Sequence, residues 1–515
     1  MKKSQLLFLG AVFGIVILYF FLRLYNILSL PIFTDEAIYV RWAQIAKQDA
    51  SWRFISLTDG KQPMYIWIAM VLMKFFRDPL LAGRVVSVIA GFATTIGLFF
   101  LGNEVFRDKT ERKIFSFTRQ SVSIGLLAAF IYVSYPFGLV YDRMALYDSL
   151  VGAFAVWALY LLILLVRTLR LDVALISGIV IGADVLTKSN AFFSMGSIPL
   201  LLVLFDWKKK EVKHRLALFI ALSAVAVILA NGMYLILRLS PFYHIIAEKT
   251  ALFAYPLNEW IKHPFTYLQS NLSGLSNWFM IYFSIPGIIL VLASFIVQRK
   301  NFQEKILLLL WFLFPFIYLA FFGNTIYPRF ILFMTLPLIP LVSYSIYELF
   351  EKYKNILIRL IIFIFAFGLY FYADYFILTN FAKAPIPRAD VGQYVNSWSA
   401  GNGVAQSVEF FREEAKTQKI YIMTQGTFGL MPYALEMYLV SNPNIKIQAF
   451  WPVDNLTPKE VTAHVAKMPT YGIFYQPCPT CSAAGNIPPA WHAEKIATYK
   501  QGTSNDYYSI YKILP

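Results

Sequence analysis

Long apolar stretches constrain this chain more than any other feature of its sequence. About eleven of them are long enough to cross roughly 30 Å of hydrocarbon. They comprise residues 5 to 25, 82 to 105, 121 to 140, 149 to 166, 172 to 187, 191 to 205, 215 to 238, 276 to 298, 306 to 322, 330 to 348 and 355 to 378. Only 14% of the 515 residues are charged and the mean hydropathy is +0.58, which excludes a water-soluble globular fold. Barrel strands would show short alternating segments, so we predict an all-α polytopic membrane domain.

Basic residues predict how this domain is oriented. The stretch 62 to 76 is ambiguous, because it is about fifteen residues long and is interrupted by Lys74. If it spans the membrane, the basic loop 107 to 119 lies outside; if it lies in the interface, that loop and the later basic loops all lie inside. We therefore expect a juxtamembrane helix on the outer face of a multi-pass plasma-membrane protein. The N-terminus is then cytoplasmic and the C-terminus extracytoplasmic.

The apolar pattern ends near residue 380. Helix-like segments at 404 to 416 and 428 to 439 alternate with strand-like segments at 419 to 424, 445 to 450 and 470 to 476. This alternation predicts a small extracytoplasmic α/β domain over 380–515. The membrane domain is then 1–379, with an outer loop and juxtamembrane helices over about 31–81.

Two cysteines lie in the C-terminal domain, in the motif Cys478-Pro-Thr-Cys481. A disulfide, a pair of free thiols, and half of a metal or redox site are all compatible with this spacing. The predicted extracytoplasmic location favours the disulfide.

Ionisable residues are costly in or beside membrane spans, so their positions are the best functional clue. Under the predicted topology they gather in the outer loops, where cations can bind a lipid phosphate and a carboxylate can accept a hydroxyl proton. The acidic candidates are Asp35, Glu36 and Asp148, and the basic candidates are Lys61, Arg84, Arg143, Lys188 and Arg329. No His-rich or Asp-x-Asp spacing predicts a catalytic metal. The scattered net charge of +16 excludes nucleic acid as a partner.

Each candidate also has a purely structural interpretation. Asp35 and Asp148 precede helical runs, so each can cap a helix, and Glu36 can support its neighbour at the same helix start. The four candidates Arg84, Arg143, Lys188 and Arg329 can anchor the ends of spans at the interface. The sequence leaves both interpretations open.

Six motifs, in order, carry a family resemblance: RLYNILSLPIFTDEAIY, GKQPMYIWI, LAGRVVSVIAGF, DRMALYDSL, VLTKSNAFF and YPRFILF. Together they resemble the GT-C class of glycosyltransferases that use polyprenyl-phosphate sugars. Family 39 of that class, which includes protein O-mannosyltransferases and lipid A aminoarabinose transferases, is the most similar. The resemblance runs with gaps from about residue 20 to residue 350 and implies a GT-C fold.

The resemblance also implies roles for particular residues. Asp35 corresponds to the essential acid of the first outer loop, with Glu36 beside it, and Asp148 to a second acid. Lys61, Lys188 and Arg329 correspond to cations around the donor phosphate. The chain departs from the family pattern at Gln62, at Ser189 and at Phe330.

The implied reaction is an inverting single displacement from a polyprenyl-phosphate-linked sugar, with no required metal or other cofactor. The acceptor is a hydroxyl or lipid phosphate of a protein, a glycolipid or a surface glycan, and membrane lipids surround the enzyme. The alternative function is a transporter or flippase for a lipid-linked sugar, which also needs cations near a lipid phosphate. Transporters usually contain repeated halves, and none is evident here.

Overall fold

The computed structural model describes residues 3–107, 118–205, 207–208, 210–298, 300–475, 487–488 and 490–515. Most of the basic loop 107 to 119 lies outside these residues, as do both cysteines. The predicted disulfide between Cys478 and Cys481 therefore stays a prediction.

Helices dominate the described residues. In chain order they are α1 (Lys3–Leu24), α2 (Thr34–Gln48), α3 (Met64–Leu72), α4 (Pro79–Val105), α5 (Arg119–Val133), α6 (Pro136–Asp142), α7 (Asp148–Thr168), α8 (Leu171–Val185), α9 (Phe192–Gly196), α10 (Val212–Tyr234), α11 (Ile245–Ala251), α12 (Leu257–Lys262), α13 (Leu268–Phe283), α14 (Ile285–Val297), α15 (Phe302–Phe322), α16 (Leu332–Thr335), α17 (Ile339–Lys352), α18 (Ile356–Thr379), α19 (Arg388–Val391), α20 (Val404–Thr417), α21 (Leu430–Leu439) and α22 (Lys459–Val465).

Seven helical stretches of the described chain are long and apolar enough to cross a membrane, or nine if each of two bent pairs is one span. The α5–α6 pair bends by 60° and the α13–α14 pair by 89°. Pro136 and Pro286 lie in the first turns of α6 and α14, where proline is tolerated because it lacks an N–H. The predicted all-α membrane domain is confirmed.

Four predicted segments are less regular than straight spans. The two bent pairs cover the predicted spans 121 to 140 and 276 to 298. The stretch 172 to 187 forms the 15-residue α8, and 191 to 205 lies in a broken helical stretch, Ser189–Leu204. The ambiguous stretch 62 to 76 contains α3, whose nine residues are too few to span.

The described residues of the C-terminal domain contain a five-stranded sheet, which confirms the predicted α/β domain, although only three of the strands were predicted. Its strands are β1 (Ile420–Gln425), β2 (Ile445–Phe450), β3 (Thr470–Tyr475), β4 (Ala493–Lys500) and β5 (Tyr507–Ile513), in the order β2-β1-β3-β5-β4. β1 pairs in parallel with β2 and β3, whereas β5 pairs antiparallel with β3 and β4. The three parallel strands coincide with predicted segments, whereas β4, β5 and α22 were not predicted.

The C-terminal domain packs directly on α2. Arg41 on α2 forms a 2.8 Å ion pair with Glu436 on α21, and the amide of Gln44 donates to the carbonyl oxygen of Met437 at 2.8 Å. Buried side chains from both regions share one hydrophobic core. The domain is thus attached to the helix that carries Asp35.

Candidate functional site

A cavity of about 960 Å³ lies at the end of the membrane domain that contacts the C-terminal domain. Five of the eight predicted site residues line it: Asp35, Lys61, Asp148, Lys188 and Arg329. They come from five separate segments of the chain, which only the fold brings together. Aromatic and apolar side chains line the rest of the wall, including Phe192, Phe193, Phe314, Tyr318 and Leu319.

Asp35 occupies the first turn of α2, where its carboxylate faces two cations. Arg329 Nη2 lies 3.0 Å from Asp35 Oδ2, and Lys61 Nζ lies 3.6 Å from Asp35 Oδ1. Burial by itself raises the pKa of this carboxyl group, but the attraction of Lys61 and Arg329 outweighs it and lowers the pKa to about 2. Asp35 is therefore ionised at neutral pH.

A second ion pair lies on the cavity wall. Lys188 Nζ is 2.7 Å from Asp148 Oδ1, at the start of α7, and 4.6 Å from the centre of the Phe330 ring. Burial lowers the pKa of Lys188, and the neighbouring Asp148 carboxylate opposes that shift. The phenylalanine at 330 supplies a ring face for the cation, although it lacks the tyrosine hydroxyl of the family pattern.

One cation of this cavity was not among the predicted site residues. Lys249 on α11 lines the wall and forms a 2.7 Å ion pair with Asp59, which also contacts Lys61 Nζ at 3.3 Å. Lys249 lies between the predicted spans 215 to 238 and 276 to 298, where no apolar run marks its place, so only the tertiary structure shows its position. The described lining residues include four Lys or Arg side chains and two carboxylates, and with Asp59 counted the cations still outnumber the carboxylates by four to three.

The residues that follow Lys61 and Lys188 are bonded to each other. The side-chain amide of Gln62 donates to Ser189 Oγ at 2.9 Å, and both residues line the cavity. Gln62 and Ser189 are also two of the positions where the chain departs from the family pattern. This bond joins the two lysine-bearing loops.

Glu36 has a different environment from Asp35. It is fully buried, and Arg84 donates to both of its carboxylate oxygens, at 2.9 and 2.8 Å. The backbone N–H groups of Phe33 and Ala145 donate to the same carboxylate at 2.9 and 2.6 Å. Glu36 thus caps α2 from its own first turn and ties this turn to α4 and to the loop before α7.

Arg84 and Arg143 also lie outside the cavity lining. Arg84 is fully buried and bonds the carbonyl oxygens of Ile27 and Pro31 besides Glu36. Arg143 donates to the carbonyl oxygens that end α1, including those of Leu22 and Tyr25. The placement of Glu36, Arg84 and Arg143 indicates structural roles and gives no support to their predicted chemical roles.

No group of three or more His, Cys, Asp or Glu side chains in the described part of the chain is arranged to hold a metal ion. The charged groups of the cavity instead suit an anion, because cations outnumber carboxylates there.

Residues 60–234 match the family model described as dolichyl-phosphate-mannose-protein mannosyltransferase. No curated protein matches the chain. Among solved structures, ArnT from Cupriavidus metallidurans bound to undecaprenyl phosphate is similar over 99% of this chain and 98% of that chain, with a TM-score of 0.55 and 11% identity. Its apo state gives a TM-score of 0.53 with the same identity and coverage.

AglB, the archaeal oligosaccharyltransferase from Archaeoglobus fulgidus in complex with an inhibitory peptide and a dolichol-phosphate, is similar over 87% of this chain, with a TM-score of 0.52 and 12% identity. The present chain spans 65% of the length of that protein. The resemblance drawn from the motifs is therefore confirmed: the chain has the fold of GT-C class glycosyltransferases and, over residues 60–234, resembles the dolichyl-phosphate-mannose-protein mannosyltransferase family.

Proposed function

We propose that this chain is a membrane glycosyltransferase that moves a sugar from a polyprenyl-phosphate donor to an acceptor hydroxyl or lipid phosphate. One observation carries the proposal: an ionised carboxylate, Asp35, faces a positively charged cavity with an apolar wall. A lipid-linked phosphate needs both surfaces, and transfer to a hydroxyl needs a base as well. The similarity to ArnT and to the mannosyltransferase family supports the same conclusion.

The donor phosphate would be bound by Lys61, Lys188 and Arg329, whose charged ends line the same cavity. Arginine can bind two phosphate oxygens at once, and the lysines add point charges. The first isoprene units would lie against the aromatic side chains near Phe193 and Phe314. Charge that develops on the phosphate oxygen as the sugar leaves is stabilised by the same cations.

Transfer is then a single displacement. The acceptor oxygen forms a bond to the anomeric carbon, the bond between that carbon and the phosphate oxygen breaks, and Asp35 takes the acceptor proton. The configuration at the anomeric carbon inverts, and the products are the glycosylated acceptor and the lipid phosphate. The chain's own residues supply the base and the anion site, so this scheme assigns no step to a metal.

Donor binding would also make Asp35 a better base. In the free protein Lys61 and Arg329 hold the pKa of Asp35 at about 2, at which a carboxylate is a weak proton acceptor. A bound phosphate shares these cations, weakens their pull on Asp35 and raises its pKa. Proton transfer is thereby favoured only when the donor is in place.

The orientation follows from charge. Basic residues cluster in segments 2–3, 107–119, 167–170, 208–215, 299–305 and 352–359, which we assign to the cytoplasmic side. Asp35, the cavity and the C-terminal domain would then be extracytoplasmic. In a background where Cys478 and Cys481 are replaced by serine, a maleimide that cannot cross membranes should label a cysteine introduced at Trp52 in intact cells and leave one introduced at Trp207 unlabelled.

The test of the proposed function compares three variants in isolated membranes. Asp35→Asn should lower transfer from radiolabelled undecaprenyl-phosphate sugars by about 10²- to 10⁴-fold, because it removes the base. It should leave binding of undecaprenyl phosphate, measured by native mass spectrometry, within about threefold of wild type, a loss below 1 kcal/mol. Lys61→Ala should weaken that binding about tenfold, since it removes a charge contact to the phosphate. Asp172→Asn is the matched control, because Asp172 forms an exposed ion pair with Arg170.

Full transfer by Asp35→Asn would contradict the assignment of the base. If wild-type protein binds undecaprenyl phosphate and moves a lipid-linked sugar across vesicle membranes without transferring it, the transporter alternative is correct.

A further inference from the structure

The segment that leads into the C-terminal domain is bonded to the residues just before Asp35. We call residues 388–401 the docking strap. Ala400 forms an antiparallel bridge with Phe33, and the Gly401 N–H donates to the Ile32 carbonyl oxygen at 2.8 Å. The Thr34 N–H donates to the Ser399 carbonyl oxygen at 3.0 Å. These backbone bonds fix the three residues that precede Asp35.

The other end of the docking strap is anchored in the membrane domain. Asp390 is fully buried and accepts hydrogen bonds from the hydroxyl groups of Tyr141, at 2.9 Å, and Tyr282. The Tyr394 hydroxyl lies 3.2 Å from that of Tyr141, and the Tyr394 ring meets the Phe33 ring edge-on at 4.9 Å. The strap therefore runs from the membrane helices to the first turn of α2.

Further contacts hold the body of α2 against the C-terminal domain. The Arg41–Glu436 ion pair and the bond from Gln44 to the Met437 carbonyl lie one and a half to two and a half turns after Asp35. None of the described residues after Phe330 lines the cavity. The C-terminal domain thus touches the helix of the base without contacting the space where the donor would lie.

From this geometry we infer that the docking strap and α21 position Asp35 for proton transfer, with Ala400, Gly401 and Glu436 as positioning residues. The inference rests on the proposed function, because it concerns the base of that reaction. Donor binding depends instead on Lys61, Lys188 and Arg329, none of which belongs to the strap or to α21. The loops of the two lysines are also bonded to each other. Displacing the strap should therefore impair turnover and spare donor affinity.

Gly401 provides the sharpest test. A Cβ atom at this position would lie 2.5 Å from Ile32 Cγ2 and 2.7 Å from the Ile32 carbonyl oxygen, so alanine must push the strap away from the residues before Asp35. Gly392 lies in the same strap, and a Cβ atom there would have no neighbour within 4 Å. Gly392→Ala is therefore the matched control.

We expect Gly401→Ala to lower the transfer rate at saturating donor at least tenfold, with the affinity for undecaprenyl phosphate within about twofold of wild type. Gly392→Ala should transfer at the wild-type rate. Adding Ile32→Ala to Gly401→Ala removes one of the two close contacts and should restore part of the rate. Thermal unfolding of each purified full-length variant shows whether the fold is retained.

If Gly401→Ala fails to fold, Glu436→Gln is the second variant, since it removes the charge that faces Arg41 at the surface of α2. It should lower the turnover rate about threefold without changing donor affinity. Wild-type turnover in a folded Gly401→Ala or Glu436→Gln variant would overturn the inference, as would equal losses of turnover and donor affinity. Absence of transfer by wild-type protein would overturn the proposed function itself.

Discussion

Asp35 and Glu36 are neighbours in the chain, yet they differ in nearly every physical respect. Asp35 faces an open cavity and shares two cations that belong to other segments. Glu36 is fully buried, and its carboxylate is saturated by one guanidinium group and two backbone N–H groups. The helix turns by about 100° between successive residues, so one side chain points to the cavity and the next to the protein interior.

Two neighbouring acidic side chains can therefore have different roles. A carboxylate whose oxygens already accept four protein hydrogen bonds has little capacity left for a proton in transit. Such a group instead fixes the backbone, and Glu36 fixes the start of the helix that presents Asp35. Asp35 is thus the residue that we propose for proton transfer, and Glu36 is the residue that holds its helix in place.

The largest expected contrast is in stability. Glu36→Gln leaves the buried Arg84 guanidinium without its charged partner and should lower the free energy of unfolding by about 3–5 kcal/mol. Asp35→Asn should lower it by less, about 2 kcal/mol, because the pKa of Asp35 is about 2 in the folded protein and about 4 in an unfolded chain, so its charge stabilises the fold at neutral pH. Thermal unfolding in detergent, followed by intrinsic fluorescence, measures both. Equal unfolding temperatures for the two variants would contradict the structural role that we assign to Glu36 and not to Asp35.

A third carboxylate sharpens the comparison. Asp390 is buried like Glu36, but phenol groups, and not a guanidinium, donate to it. Burial raises its pKa to about 7, against the hydrogen bonds from Tyr282 and Tyr141, while an unfolded aspartate titrates near 4. The native state therefore keeps the proton that the unfolded chain loses as pH rises between these values. From pH 5 to pH 8 the free energy of unfolding should fall by roughly 2–3 kcal/mol because of this group.

Asp390→Asn isolates this effect, since asparagine does not titrate. As pH rises toward 8, the free energy of unfolding of wild type should fall relative to that of Asp390→Asn. A difference that stays constant across this range would show that Asp390 is ionised in the folded protein at all these pH values.

The smallest expected effect concerns the cavity wall itself. Gln62→Ala and Ser189→Ala should each weaken undecaprenyl phosphate binding about three- to fivefold, because either change frees the two lysine-bearing loops from each other. The double variant should bind no more weakly than either single variant, a coupling of about 1 kcal/mol. If the affinity loss of the double variant equals the product of the two single losses, the bond between Gln62 and Ser189 does not position the lysines.

Much of the fold followed from local patterns. Apolar length identified the long membrane helices, and the alternation of periods identified α20, α21 and the parallel strands. The segment 276 to 298 was predicted as one span, whereas a proline permits a sharp bend between α13 and α14. Hydropathy carries no information about the direction of a helix axis. β4 was not predicted because it exposes much of its surface and lacks a continuous apolar run.

The site was predicted in part. The residues Asp35, Lys61, Asp148, Lys188 and Arg329 lie together as the outer-loop argument required. Glu36, Arg84 and Arg143 carry the same kinds of charge at the same depth, so a charge pattern cannot separate them from the cavity residues. Lys249 could not be found, because nothing local distinguishes it from a surface lysine.

A polytopic helical membrane protein with a C-terminal α/β domain could be predicted from the amino-acid sequence, because apolar length and periodicity are local properties. The sequence also predicted that the candidate charged residues lie in the outer loops. Which charges face the cavity and which are paired inside became clear from the fold alone, because that depends on the direction of each side chain and on partners far away in the chain. The attachment of the docking strap beside Asp35 joins Thr34 to Ser399, 365 residues later in the chain, and no local pattern encodes it.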